Sequence, residues 1–125
     1  MAVVTRTMVR RKLVHTGLLL KIKAQNLPID SPAIRARLAT TREQWAHPMY
    51  GRYIDLWEQL IEAGDLDEIT RIVLADDERG EEMRRLSPFK VYLTEESRLL
   101  TTLLTSALMD TRQTLPGDRR SPGVA

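Results

Sequence analysis

RTMVRRKLVHTGLLLKIKAQ, residues 6–25, is the stretch on which the fold class turns: it holds six Lys or Arg and no acid. At helical spacing, Val9, Leu13, Val14, Leu18, Leu20 and Ile22 spread around most of the wheel, so no single apolar face emerges. At strand spacing, Leu18, Leu20, Ile22 and Ala24 share one face of 18–24, with Leu19, Lys21, Lys23 and Gln25 opposite. The helix is the better reading. A strand here has no partner in a chain whose other segments read as helices, and a lone strand is not independently stable.

Outward from this segment, helix start and stop signals divide the chain. Ser31-Pro32 supplies a capping hydroxyl and a proline at the first helical position. Behind it, Ile34, Leu38, Thr41 and Trp45 recur on one face. His47-Pro48 breaks the chain, and PMYGRYIDLWEQLIEAG (48–64) is the clearest helix of all. Its broad apolar stripe includes Tyr50, Tyr53 and Trp57, expected in the core. Asp55, Glu58 and Glu62 lie on the far side, and Gly64 is suited to the left-handed C-terminal position. DLDE (65–68) has the form of a capping box, with Ile69, Ile72 and Val73 as the core face behind it. DDERG (76–80) interrupts that helix and leaves a short piece through Met83 and Leu86. Ser87-Pro88 ends that piece, and FKVYL (89–93) is a connector or short helical turn.

Thr94 caps the final helix, TEESRLLTTLLTSALMDTRQ, where Leu99, Leu100, Leu103, Leu104, Ala107 and Leu108 repeat at the helical period. LLTTLLTSALM (99–109) carries no charge, so the helix is expected to be central to the fold, or else to form a subunit contact. The expected architecture is all-α: a compact single-domain bundle of five to six helices over residues 1–115, with 116–125 a disordered tail.

Composition narrows the function. The 125 residues are 42% apolar and 29% charged, ordinary values for one globular domain. No cysteine is present, which removes disulfides, thiolate metal sites and a cysteine nucleophile, and fits a reducing cytoplasm. No apolar run approaches the roughly 18 residues of a membrane span. Arg outnumbers Lys fifteen to four, the bias of a GC-rich, bacterial genome. The net charge of +2 is segregated: +8 over residues 1–42, −9 over 43–82 and +3 over 83–125.

Motifs for catalysis are missing from the sequence. It has no phosphate-binding glycine loop, HExxH or nucleophile elbow. His15 and His47 lie on different segments; His47 reads as a helix-boundary residue, and His15 as a solvated or packed side chain whose charged form neighbouring cations disfavour. DDERGEEMRRL lacks the ligand spacing of a calcium loop. The expectation is therefore a non-enzymatic protein with no catalytic, cofactor-binding or metal residues.

Two charged regions remain as candidates. Asp55, Glu58, Glu62, Asp76 and Asp77 form an acidic docking face for another protein, which makes the chain an adaptor, regulator or inhibitor. Arg6, Arg10, Arg11, Lys12, Lys21 and Lys23 are the residues that would contact phosphates if the chain were instead an accessory nucleic-acid-binding protein. The first 44 positions offer no aromatic side chain for base stacking, and 8–22 lacks the separated faces of a membrane-surface helix. A helical subunit of an enzyme complex is the third reading, and 99–109 is the expected seam of any homo-oligomer. The same cations have a structural alternative: residues 6–25 as a helix of the fold, paired in part with the chain's own acids.

Overall fold

The computed structural model describes residues 4–114, with side chains through residue 110. Six α-helices follow one another: α1 (Arg6–Gln25), α2 (Pro32–Gln44), α3 (Pro48–Ala63), α4 (Leu66–Val73), α5 (Glu78–Arg85) and α6 (Glu95–Thr114). A short 3₁₀ helix, Pro88–Tyr92, lies between α5 and α6. The chain is an all-helical bundle, as its start and stop signals foretell. The segment 116–125, expected as a tail, lies outside the described residues.

Polar side chains start each of these helices by accepting a hydrogen bond from an otherwise orphaned N–H. Thr5 accepts from Met8 at 3.1 Å, Ser31 from Ile34 at 3.2 Å and Asp65 from Glu68 at 3.1 Å. Asp77 accepts from Gly80 at 2.7 Å, Ser87 from Phe89 at 3.1 Å and Thr94 from Ser97 at 3.1 Å. At α3 the cap is His47, whose Nδ1 accepts from the Met49 N–H at 3.1 Å. DLDE closes only half of its box, because the Glu68 carboxylate turns to Arg71 rather than back to the cap. α1 ends at Asn26, which takes φ 52°, and α3 at Gly64, φ 72°; both residues tolerate the left-handed region.

Trp57 is the hub of the core. It is wholly buried, its Nε1 donates to the Met83 carbonyl at 3.0 Å, and its ring meets Phe89 edge-on with centroids 5.1 Å apart. One residue of α3 thereby fixes both α5 and the 3₁₀ helix. Around Trp57 lie Val14, Leu18, Leu19 and Ile22 from α1, Ile34 and Leu38 from α2, Ile54, Leu60 and Ile61 from α3 itself, Ile69, Ile72 and Val73 from α4, and Leu86. Burying each such side chain stabilises the fold by about 1.5–3 kcal/mol relative to exposure. Tyr50, Tyr53 and Trp45 are half-buried at its edge rather than inside.

The α4–α5 turn is bound by a charge. Arg84, 1% exposed, donates to the carbonyls of Val73 at 2.7 Å and Ala75 at 3.0 Å, and pairs with Glu81 at 2.8 Å. A cation at a helix C-terminus is favourably placed against the helix dipole, and here it also satisfies carbonyls that α4 leaves unpaired. Gly80 lets the elements approach: a Cβ there would stand 2.2 Å from the Ala75 carbonyl oxygen.

The last helix corrects the sequence reading. α6 is not central: it lies on α1, and none of its leucines belongs to the core. This also explains the unclear wheel of residues 6–25. One side of α1 faces the interior, and the side at the spacing of Val9, Leu13 and Thr16 faces away from it, so a two-sided helix shows no single stripe.

Candidate interaction surface

α6 packs with its hydroxyl side inward. Thr105 is fully buried, Ser97 and Thr101 are half-buried, and Arg6 of α1 reaches Ser106 Oγ at 3.0 Å. Buried hydroxyls need partners, and the helix itself supplies them. Thr101 donates to the Ser97 carbonyl at 2.7 Å and Thr105 to that of Thr101 at 2.8 Å. With their polar groups satisfied, these short side chains can lie against α1 in place of leucines.

Turned outward are Leu99, Leu100, Leu103, Leu104 and Leu108, each between 44% and 63% exposed. At 100° per residue they cover one half of the helix surface, with Ala107 among them. Taking about 180 Å² for a fully exposed leucine, they present about 500 Å² of apolar surface, the scale at which a contiguous patch marks a contact site. At its C-terminal end the stripe runs into a groove of about 710 Å³, where Leu108 joins Met8, Val9 and Leu13. Lys12, Asp76 and Glu81 also line it.

The sequence-derived charged residues are largely engaged within the fold. Arg42 of α2 pairs with Asp55 at 2.8 Å and Glu58 at 3.1 Å. Lys12 pairs with Asp76 at 2.5 Å, which holds that carboxyl below the usual range. Asp77 caps α5, and Glu62 is exposed on the face it shares with Asp55 and Glu58. The five acids therefore divide between α3 and the α4–α5 turn, on separate elements. Among the cations, Arg6 bonds Ser106 and Lys21 donates to the Tyr92 carbonyl at 3.2 Å. Lys23 is exposed, while Arg10, Arg11 and Lys12 are half-buried. α1 is thus a structural helix whose cations in part face the chain's own acids.

A second group of cations was not legible as a unit. Lys90 of the 3₁₀ helix is half-buried, its ammonium donating to the Arg85 carbonyl at 3.3 Å. Burial, then the fields of Arg11, Arg37, Arg10 and Arg85, push its pKa down to about 8. These residues come from α1, α2, α5 and the 3₁₀ helix, so only the fold assembles them. Arg85 lies 3.1 Å from Glu82, and Arg11 feels Glu81 and Glu82.

His15 is packed rather than solvated, with its Nδ1–H donating to the Arg11 carbonyl at 2.9 Å. Its pKa falls to about 4, and the first cause is burial; the like charges named by the sequence come after it. Among the described residues no group of three or more His, Asp or Glu side chains is placed to hold a metal ion. Among them, too, no helix is long and apolar enough to cross a membrane. No known family model, curated protein or solved structure matches the chain.

Proposed function

We propose that this chain is a non-enzymatic protein-interaction module that binds through the outward face of α6, acting as an adaptor, regulator or inhibitor. The observation that carries this reading is the inversion of α6, with hydroxyls against the domain and five leucines toward solvent. Leucines placed there leave about half of their surface in water, which a contact with another protein would bury at about 25 cal/mol per Å². The charged surfaces are secondary, because Asp55, Glu58 and Asp76 are already paired. A bacterial cytoplasm fits the arginine-rich, cysteine-free composition.

The test is in-cell cross-linking with the unaltered chain and with a Leu100→Glu/Leu103→Glu variant. A specific cross-linked protein that disappears in the variant supports the reading. An unchanged set of cross-links sinks it.

A second reading, contact with nucleic-acid phosphates, is favoured by the convergence of Arg10, Arg11, Arg37, Arg85 and Lys90. Titration of duplex DNA across a salt series checks it. Five phosphate contacts give a slope of log K against log salt near −4.5, at about 0.9 per contact. Arg37→Ala and Lys90→Ala should each flatten it, and no saturable binding at low salt would dismiss it.

A further inference from the structure

We infer that the occupant of the α6 face is the α6 face of a second copy of this chain, forming a twofold dimer whose axis passes near Leu103 and Leu104. The inference rests on the reading of α6 as an interaction face and names its partner.

Three observations support a like partner. First, a twofold interface must be complementary to itself, and 99–109 has no charge of either sign to oppose its own copy. Second, the area is near what a dimer requires. The leucines supply about 500 Å² of the roughly 800 Å² that each partner contributes to a standard interface. The groove beside Leu108, with Met8, Val9 and Leu13 on its wall, continues the apolar surface beyond the helix. Third, the chemistry of the other occupants fits less well. Residues 115–125, LPGDRRSPGVA, offer only Leu115 and Val124 as sizeable apolar side chains against five leucines. An anionic membrane surface calls for a cationic surround to the apolar stripe, and the flanks here are mixed in sign, with Glu95, Glu96 and Arg98 before the stripe and Asp110 and Arg112 after it.

Sedimentation velocity of the whole chain from about 1 to 300 µM tests the inference, with far-UV circular dichroism as the control for folding. The unaltered chain should sediment as a dimer that dissociates on dilution. Leu103→Glu places a carboxylate in the seam from both sides, and should weaken the dimer by at least about a hundredfold, as loss of a central interface anchor does. Because the leucines are exposed in the single chain, helicity should not change. A second readout uses the absence of cysteine: under mild oxidation Leu103→Cys should link two copies covalently, and Arg71→Cys should not. An unaltered chain that is monomeric at every concentration overturns the inference. If cross-linking to another protein is still lost in the Leu100→Glu/Leu103→Glu variant, the interaction-face reading survives without it. A dimer that forms equally well with Leu103→Glu also overturns the inference, because its seam then lies elsewhere.

Discussion

His15 should make the domain progressively less stable as the pH falls from neutrality. Its ring is wholly buried, its Nδ1–H is held by the Arg11 carbonyl, and its Nε2 has no hydrogen-bond partner. A second proton would place a charge in the interior near Lys90, Arg84 and Arg11. Burial, then those charges, lower its pKa to about 4, against about 6.5 in the unfolded chain. Between these values the unfolded chain holds the proton and the folded one does not. Lowering the pH through 6.5 therefore draws molecules toward the unfolded state, and the loss stops only near pH 4, when the folded ring also protonates.

At about 1.4 kcal/mol per unit, the whole interval is worth about 3 kcal/mol, of which about 2 kcal/mol is gone by pH 5. Urea unfolding followed by tryptophan fluorescence, for the unaltered chain and His15→Leu from pH 7.5 to 5, isolates the effect. His47 and the carboxylates are common to both chains and cancel. The stability difference should move by about 2 kcal/mol in favour of His15→Leu at the acid end. Curves that stay parallel over this range would refute the argument that a neutral imidazole is locked inside.

Further outcomes follow from the surroundings of four residues. Gly80→Ala should cost about 3 kcal/mol in urea unfolding, because the new methyl meets the Ala75 carbonyl. Gly17→Ala, in open space on α1, should instead gain about 1 kcal/mol. Arg84→Met should cost about 3–5 kcal/mol, since it strands the Val73 and Ala75 carbonyls together with Glu81; Arg84→Lys, without the planar fork, should recover little of this. Lys90→Met should raise stability by about 1 kcal/mol at pH 7, a figure discounted for partial exposure. That advantage should shrink from pH 8 to 10.5, where the folded lysine is neutral while the unfolded one still holds its proton.

Much of the fold is legible in the sequence because capping is local chemistry. Ser31, Asp65 and Thr94 each lie next to the N–H groups they satisfy, so their role needs no knowledge of the rest of the chain. Helical periodicity likewise identifies which residues share a face. It says nothing about where that face points. The clean helical repeat of α6 reads as a core face and the scattered wheel of α1 does not, yet tertiary packing sends Leu18 inward and Leu103 outward. The hydroxyls gave a hint, since Ser97, Thr101 and Thr105 recur four apart and the two threonines are satisfied by carbonyls of the helix itself. For the charged candidates the missing information is pairing. Lys12 and Asp76 are far apart in sequence, as are Arg10 and Lys90, and no local pattern announces their meeting.

The seating of α6 has a consequence for how the domain opens. Its main contact is with α1, through short hydroxyl-bearing side chains, and the Trp57 core is complete without it. Such a helix can lift away at a fraction of the free energy of global unfolding. In a hydrogen-exchange experiment on the single chain, the amides of 99–109 should exchange well before those of α3, through a partial opening rather than through unfolding. A partner that binds α6 would then do more than cover its leucines: it would fasten the loosest element of the domain, so occupancy should register as slowed exchange in α6 and in the side of α1 beneath it.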